Sequence, residues 1–350
     1  MAPIRRDNFG DGITRVTMTN SVGSVVQLLD FGARIHSWKV KDGRGQLIDV
    51  VLGYDNPEGY KSDRFWIGAT VGRVSNRIRN GGFTLNQVDY ALELNEDPID
   101  TPGPNYLNGG FSGFSQKTWR IHCTDEQENT VTFAYDSPDG EGGFPGNVHV
   151  ELEFHLSNEN QLRLKFTATT DEATPIMLNN HGYFNLTGEG SLSINDHEMY
   201  VFASKYLPID SNHLATGEIA SVENTNYDFR TPKVFGQIPP EKRILDACYV
   251  LARTYDKVLR HAARVLSHTT GLQMDVWTDQ PGLLVYTGSY LNVKSGKGGK
   301  PYNKFSSLSL ETQGYPDSVN NPHFPTSIVE PGEVYEHTCI YKIGAIGPVQ

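Results

Sequence analysis

Apolar and polar residues alternate along much of this chain, most clearly in its middle. Apolar side chains occupy every second position from 148 to 156 and again from 162 to 166, with charged or polar residues between them. Because successive side chains of a β-strand point to opposite faces, this period of two predicts two strands, each with one buried face. The turn-forming tripeptide Asn158-Glu159-Asn160 connects them.

The same reasoning predicts further strands and an all-β fold. These strands are expected at Ile13–Thr19, Val25–Phe31, Phe83–Leu94, Val131–Tyr135, Leu272–Trp277 and Leu283–Tyr290. Only the segment Thr254–Val265 is compatible with a helix. A length of 350 residues favours two domains on its own, but large β-sandwiches often run this long as one unit. We therefore predict a large antiparallel β-sandwich in which residues 1–350 form a single domain.

Charge and composition exclude several classes of partner. The net charge is −11 and the isoelectric point is about 5.5, whereas nucleic-acid-binding proteins carry a basic face. No apolar window approaches the length of a membrane span, and the first residues lack the apolar core of a signal peptide. We expect a cytoplasmic protein without a nucleic-acid or membrane partner. The three cysteines, at positions 123, 248 and 339, are too scattered for a zinc motif, so buried free thiols and no metal are expected.

One imidazole and one carboxylate are the best candidates for chemistry. His181 lies in the segment Asn179–Leu186, and Glu311 lies 130 positions later in Glu311-Thr312-Gln313. Both occur in strand-like sequence among polar side chains. Two such groups are sufficient for general acid–base catalysis, which moves a proton on and off a substrate. A buried histidine with hydrogen-bonded neighbours in the core is the alternative interpretation.

Three further segments carry candidate binding residues. Asn76 and Arg77 are adjacent, and a guanidinium beside an amide can bind neighbouring hydroxyls, although an arginine in a loop is often only solvated. Asn108 opens a glycine-rich stretch that suits a tight turn or a close approach of backbone to ligand. Asp246 precedes an apolar strand, where a turn residue is the alternative interpretation.

These segments resemble, in order and approximate spacing, the motifs of the aldose 1-epimerase (galactose mutarotase) family. The His181 and Glu311 segments are similar to its two most characteristic blocks. Residues 72–78 resemble the block Gly-Arg-x-x-Asn-Arg-Ile, residues 107–110 resemble Leu-His-Gly-Gly, and residues 280–288 resemble Gln-Pro-Gly-x-Gln-x-Tyr-Thr-Gly. The resemblance runs from about Val16 to Ile343.

The resemblance implies a fold, a reaction and roles for residues. It implies the galactose-mutarotase-like supersandwich and interconversion of the α and β anomers of an aldose, without a cofactor. Glu311 would be the base and His181 the acid, placed on opposite sides of the anomeric carbon C1. Asn76, Arg77 and Asp246 would contact sugar hydroxyls, and Tyr183 would form an apolar wall for the ring, unless it is a core residue.

The chain departs from the family pattern where the sugar should be held. Asn108 stands where the family has a second sugar-binding histidine, and Leu284 replaces a glutamine that contacts the sugar. Asn is shorter than His and carries no positive charge, and Leu offers no hydrogen bond at all. After Asp246 the family usually has His-Asn, and Ala247-Cys248 occupy these positions here.

Three functions remain open from the sequence. The leading hypothesis is an aldose 1-epimerase that acts on free hexoses such as galactose and glucose. A hexose-6-phosphate epimerase would need a cluster of basic side chains that the sequence near Leu284 does not offer. A catalytically silent sugar-binding or regulatory protein would agree with Asn108 and Leu284, but both His181 and Glu311 are retained. The expected partner is a small aldose, and a monomer or weak homodimer is expected.

Overall fold

The fold is built from short and medium strands, with little helix. The computed structural model describes residues 3–96 and 104–347. The first strands in chain order are β1 (Arg5–Gly10), β2 (Ile13–Thr19), β3 (Val25–Leu29), β4 (Arg34–Lys41), β5 (Leu47–Asp49), β6 (Thr70–Val71), β7 (Arg77–Ile78), β8 (Gly82–Leu85), β9 (Val88–Ala91), β10 (Tyr106–Leu107), β11 (Arg120–Asp125), β12 (Thr130–Ser137), β13 (Val148–Leu156), β14 (Gln161–Thr170) and β15 (Thr174–Pro175).

The second half of the chain continues in the same manner. Its strands are β16 (Asn179–Asn180), β17 (Tyr183–Phe184), β18 (His197–Val201), β19 (Lys205–Leu207), β20 (Ala220–Ser221), β21 (Lys233–Val234), β22 (Asp246–Val250), β23 (Arg260–Ser267), β24 (Leu272–Thr278), β25 (Gly282–Tyr286), β26 (Asn292–Val293), β27 (Tyr302–Asn303), β28 (Leu308–Gln313), β29 (Ile328–Val329) and β30 (Tyr335–Ala345). The helical segments are α1 (Pro57–Lys61) and 3-10 turns at Arg79–Gly81, Phe114–Gln116, Glu141–Gly143, Phe235–Gln237, Pro240–Lys242, Lys297–Gly299 and Ser318–Asn320.

A nine-stranded antiparallel sheet forms one layer, in the order β11-β12-β13-β14-β30-β24-β23-β18-β21. In β13 and β14 the apolar positions predicted from the alternation are all buried, and they belong to the largest apolar cluster. The register of strand pairing determines which side chains are buried, because a slip of one residue would turn each apolar set towards solvent.

A six-stranded sheet, in the order β17-β28-β25-β22-β19-β20, packs against the nine-stranded sheet. Leu283, Val285, Leu308 and Leu310 of this sheet point into the same apolar cluster as the inner face of the nine-stranded sheet. The hydroxyl of Tyr341, on β30, donates a hydrogen bond of 2.9 Å to the carbonyl of Leu310. The five-stranded sheet β1–β5 adds buried side chains to the same cluster. The predicted all-β antiparallel sandwich is thus confirmed.

Several predicted boundaries are wrong. Thr254–Val265 contains no helix, because the chain there enters strand β23, which pairs with β18 and β24 and buries Ala263 and Val265. Phe83–Leu94 is a hairpin of β8 and β9, with left-handed backbone at Asn86 and Gln87, as tight hairpin turns require.

Other differences are smaller. The strands expected at Val25–Phe31 and Leu283–Tyr290 end at Leu29 and Tyr286. Cys248 and Cys339 are buried free thiols as expected, whereas Cys123 is exposed. Among the described residues, no helix is long and apolar enough to cross a bilayer.

Candidate active site

One cavity of about 540 Å³ brings the candidate residues together. All eight side chains singled out in the sequence line it: Asn76, Arg77, Asn108, His181, Tyr183, Asp246, Leu284 and Glu311. The cavity lies on the face of the six-stranded sheet that points away from the main apolar cluster. The functional roles assigned to these residues from the sequence stay predictions, whereas their common location is a property of the fold.

The register of the six-stranded sheet builds the floor of the cavity in cross-strand rows. In one row, Cys248 pairs with Leu284, which pairs with Glu311. In the next row, Asp246 pairs with Tyr286, which pairs with Ser309, and Ser309 pairs with Tyr183. Side chains two residues apart share a face of a strand. The two rows therefore stand side by side on the cavity face.

His181 and Glu311 lie next to each other at the buried end of the cavity. His181 Nε2 is 3.5 Å from Glu311 Oε1. Ser309 Oγ is 3.5 Å from His181 Nδ1 and 3.4 Å from Glu311 Oε1. Both groups therefore reach the same end of the cavity. Their placement on opposite sides of C1 stays a prediction.

The side-chain amide of Asn179, a residue of the His181 segment, holds Glu311 in place. The sequence motif assigned no role to this amide. Asn179 Nδ2 donates to Glu311 Oε2 at 2.6 Å and to Gln313 Oε1 at 2.9 Å. Burial raises the pKa of Glu311 to about 8, and the negative charge of Asp246 acts in the same direction. The hydrogen bonds from Asn179 and Ser309 and the charge of Arg77 oppose this rise.

His181 is enclosed by aromatic rings, and its pKa is shifted in the opposite direction to that of Glu311. Its ring centroid lies 4.9 Å from that of Tyr183 and 6.3 Å from that of Trp66, both nearly parallel to it. Burial lowers the pKa of His181 to about 3, and the charge of Arg34 adds to this effect. Between about pH 3 and pH 8 the His181–Glu311 pair therefore holds one proton, which resides on Glu311 in the protein on its own.

Arg77 is fixed between two carboxylates at another wall of the cavity. Its Nε donates to Glu96 Oε1 at 2.7 Å, and its NH1 group donates to Asp246 Oδ2 at 3.4 Å. Asn105 Nδ2 donates to the second oxygen of Glu96 at 2.8 Å. A guanidinium held in this way presents its remaining donors in a fixed direction. Sequence reasoning missed Glu96, since no motif connects it with Arg77.

Asn76 and Asn108 hold each other in place. Asn108 Oδ1 accepts a hydrogen bond of 2.7 Å from the backbone N–H of Asn76, and the Asn108 N–H donates to the Asn76 carbonyl at 3.1 Å. Both residues have left-handed backbone, with φ of 63° and 49°, a conformation that Asn tolerates better than most residues. A Cβ on Gly109 would lie 2.4 Å from the Gly72 carbonyl oxygen. This close backbone approach accounts for the glycine-rich stretch.

Leu284 belongs to a small apolar cluster beside the acid–base pair. The cluster also contains Leu207, Ala215, Cys248, Tyr315 and Phe324. Leu284 is 6% exposed and is the direct cross-strand neighbour of Glu311. Its side chain removes water from one flank of Glu311, which contributes to the burial that raises the pKa of that carboxyl.

The cavity has further walls, and of their ring-bearing side chains only Tyr286 lies in one of the sequence motifs. Its additional aromatic and imidazole side chains are Phe65, Trp66, Phe111, His213, Tyr286 and Tyr290. Such rings suit the C–H face of a sugar. Within residues 3–96 and 104–347, no group of three His, Cys, Asp or Glu side chains is arranged to hold a metal.

Comparison with known proteins decides the family. The family model described as aldose 1-epimerase matches residues 14–342. The galactose mutarotase of Bos taurus is 39% identical over 98% of this chain and 99% of its own length. The aldose 1-epimerase of Escherichia coli strain K12 is 32% identical over 93% of this chain and 94% of its own length.

The chain belongs to the aldose 1-epimerase family. Solved structures agree with this assignment. An aldose epimerase homologue from C. elegans superposes with a TM-score of 0.87 at 28% identity, and covers 95% of this chain and 99% of that one. A galactose 1-epimerase from Lactobacillus acidophilus superposes with a TM-score of 0.81 at 25% identity, over 98% of both chains. The supersandwich of this family is therefore the fold of this member as well.

Proposed function

We propose that this protein is an aldose 1-epimerase that interconverts the α and β anomers of free hexoses such as galactose and glucose. One observation carries the proposal. His181 and Glu311 face the same cavity with Nε2 and Oε1 3.5 Å apart, in surroundings whose burial lowers the pKa of His181 to about 3 and raises that of Glu311 to about 8. Anomer interconversion needs one proton removed and one proton added at neighbouring oxygens, and this pair can perform both tasks.

The proposed reaction starts after the single proton of the pair has passed from Glu311 to His181, whose Nε2 lies 3.5 Å from Glu311 Oε1. Glu311, as a carboxylate, removes the proton of the O1 hydroxyl, and His181 delivers its proton to the ring oxygen O5 as the C1–O5 bond breaks. O1 and O5 are bonded to the same carbon, which suits an acid and a base that lie side by side. The open-chain aldehyde then faces a neutral pair, with the proton on Glu311.

Closure of the ring reverses these transfers on the other face of the aldehyde. Rotation about the C1–C2 bond turns the carbonyl, O5 attacks C1, the O5 proton returns to His181, and Glu311 gives its proton to O1. The pair ends with the same single proton with which it began. Burial favours the neutral pair, which is the state that accompanies the open-chain sugar, whereas Arg77 favours the carboxylate form of Glu311.

The remaining predicted residues are proposed to hold the sugar. Arg77 and Asp246 offer donors and acceptors to neighbouring hydroxyls, and Asn76 adjoins them. Tyr183 offers its ring to the C–H face of the sugar. Asn108 acts chiefly by ordering Asn76, since its side-chain oxygen is already bonded to the Asn76 N–H. Leu284 contributes an apolar contact and no hydrogen bond.

Polarimetry tests this proposal directly. Freshly dissolved α-D-galactose and α-D-glucose should approach rotational equilibrium faster with the protein than without it. Glu311→Gln serves as the matched control, because it removes the proton carrier with little change in volume. Rates equal to the spontaneous rate for both sugars, in protein that still binds sugar, would indicate a catalytically silent binding protein instead.

We further propose that residues 1–350 form one domain of a cytoplasmic protein that is a monomer or weak homodimer. The largest apolar cluster supports one domain, because it contains residues from Val16 to Ile343. A single cooperative thermal transition is expected. Light scattering across a concentration series would determine the oligomeric state.

A further inference from the structure

His213 lies in the cavity but belongs to no motif identified in the sequence. It is carried by the loop between β19 and β20 and lines the cavity together with Arg77 and Tyr290. Asp210 orders this loop, because its Oδ1 accepts hydrogen bonds from the backbone N–H groups of Asn212 at 2.8 Å and Leu214 at 3.1 Å. The loop therefore holds the imidazole in place before any ligand arrives.

The His213 loop is also tied to the segment that carries Arg77. Arg79, two residues after Arg77, lies 3.4 Å from Asp210 in an ion pair. The backbone of His213 has φ of 59°, in the left-handed region that non-glycine residues adopt infrequently and histidine more often than most. Local interactions thus maintain the backbone conformation of a residue that lines the cavity.

His213 is the last in a series of rings that begins at His181. The ring centroids are 4.9 Å apart for His181 and Tyr183, 6.1 Å for Tyr183 and Tyr286, 6.4 Å for Tyr286 and Tyr290, and 6.0 Å for Tyr290 and His213. This aromatic wall begins at the acid–base pair and ends at His213. Three tyrosine rings consequently separate His213 from His181, beside which C1 is proposed to lie.

One ring nitrogen of His213 has an unused hydrogen-bonding capacity. Its Nδ1 is buried and has no hydrogen-bond partner among the described residues. A buried polar atom without a partner destabilises the protein unless a ligand or water satisfies it. At the two positions where the chain departs from the family pattern, Asn108 has committed its oxygen to Asn76 and Leu284 has no polar atom.

We propose that His213 is a substrate-binding residue that hydrogen-bonds a hydroxyl of the aldose remote from C1 and compensates for the contacts absent at positions 108 and 284. This inference rests on the proposed function. An imidazole nitrogen and a sugar hydroxyl are complementary, because a hydroxyl can both donate and accept. The contact does not change during ring opening, so that it contributes to substrate affinity and leaves the chemical step unaltered.

The test compares His213→Leu with His213→Asn and with a loop control, Asn212→Ala. Leu removes the hydrogen bond, whereas Asn retains a polar side chain and tolerates the left-handed backbone. We expect His213→Leu to raise KM for α-D-galactose by roughly five- to tenfold, with kcat within about twofold of wild type. His213→Asn should recover part of the loss, and Asn212→Ala should resemble wild type.

Binding measurements separate this contact from catalysis. 1,5-Anhydro-D-galactitol lacks O1 and cannot react, so calorimetry with this compound reports affinity alone. Its Kd should rise in His213→Leu by the same factor as KM. If the wild type binds it in a His213-dependent manner but does not accelerate mutarotation, the proposed function fails and the His213 contact stands. Equal Kd values for wild type and His213→Leu, with thermal unfolding unchanged, would overturn the contact.

Deoxy sugars identify the hydroxyl. The affinities of 3-deoxy-, 4-deoxy- and 6-deoxy-D-galactose are compared between wild type and His213→Leu. For the sugar that lacks the contacted hydroxyl, the two proteins should bind equally. If the substitution weakens all three deoxy sugars by the same factor, His213 acts only through Tyr290 packing or loop order, and a direct contact is refuted.

Discussion

The two ends of the cavity are built in different ways. At the buried end, Glu311 and Tyr183 project from the paired strands β28 and β17, and His181 directly follows β16, so that strand pairing determines their relative positions. At the other end, Arg77 and His213 come from the short strand β7 and a loop, and the ion pair between Arg79 and Asp210 joins these two segments. The difference teaches that this fold places its proposed acid–base pair on or beside paired strands of the main sheets, and two of its proposed sugar-binding residues on a short strand and an ordered loop.

The two ends of the cavity also differ in the charge of their titratable side chains. Burial favours the neutral forms of His181 and Glu311, which leaves one mobile proton at that end. At the other end, Arg77 keeps its charge because Glu96 and Asp246 neutralise it. The departures from the family pattern, Asn108 and Leu284, change contacts to the ligand without removing either proton carrier.

The largest effect is expected from the acid–base pair. Glu311→Gln and His181→Asn should each lower kcat by about 10²- to 10⁴-fold, since each removes one proton carrier. The double variant should lose little more than either single variant, because the two groups act as a unit. Polarimetry above the spontaneous background measures these rates. An unchanged rate in either single variant would make that residue structural.

The next largest effect is expected at Arg77, which we propose to bind the sugar. Arg77→Met should raise KM by roughly 10- to 100-fold and lower stability by about 3–5 kcal/mol, because it leaves buried carboxylates without a cation. Adding Glu96→Gln should restore part of the stability but not KM. Thermal unfolding and steady-state kinetics distinguish the two effects. Recovery of KM in the double variant would contradict a direct contact between Arg77 and the sugar.

The pH dependence of kcat/KM tests the shared proton. It should be flat between about pH 4 and pH 7 and fall above about pH 8, where Glu311 loses the last proton of the pair. Asp246→Asn removes a charge that raises the pKa of Glu311, so the fall should move to lower pH. Asn179→Ala removes a hydrogen bond that lowers this pKa, so the fall should move to higher pH. Shifts in the same direction in both variants would refute the assignment.

The same shift predicts a pH dependence of folding. The pKa of Glu311 is raised above its ordinary value of 4.5 in the folded protein, so its contribution to stability is complete below about pH 4.5 and is lost as the pH rises through about 8. Glu311→Gln should remove this loss. The unfolding free energies of the two proteins, measured by denaturant titration from pH 5 to pH 9, should therefore converge at low pH and diverge at high pH, with the variant more stable.

The smallest effect on KM is expected at Asn108 and Leu284, the two positions at which the chain departs from the family pattern. Leu284→Gln should lower KM for galactose by about fivefold, if the amide regains one hydrogen bond of about 1 kcal/mol. Asn108→His should not help, because it removes the bond that orders Asn76. Steady-state polarimetry over a panel of aldoses checks both. If Leu284→Gln instead impairs turnover of another aldose that the wild type prefers, Leu284 is an adaptation to that sugar.

Some features of this protein follow from local sequence patterns, whereas others follow only from tertiary packing. Period-two alternation is a local property, so the sequence alone predicted the long strands β13 and β14 and the all-β class, and the motif segments indicated which residues to examine. The helix with which Thr254–Val265 is compatible does not form, because part of this segment pairs with two neighbouring strands.

Only the tertiary structure decided how the candidate residues meet. Cross-strand register placed Leu284 beside Glu311, and burial shifted the pKa values of Glu311 and His181 in opposite directions. Glu96 and His213 were not identified from the sequence, because their importance comes from contacts made across long separations in the chain. Local patterns determine which face of a strand a side chain occupies, whereas long-range packing determines its neighbours, its solvation and therefore its chemistry.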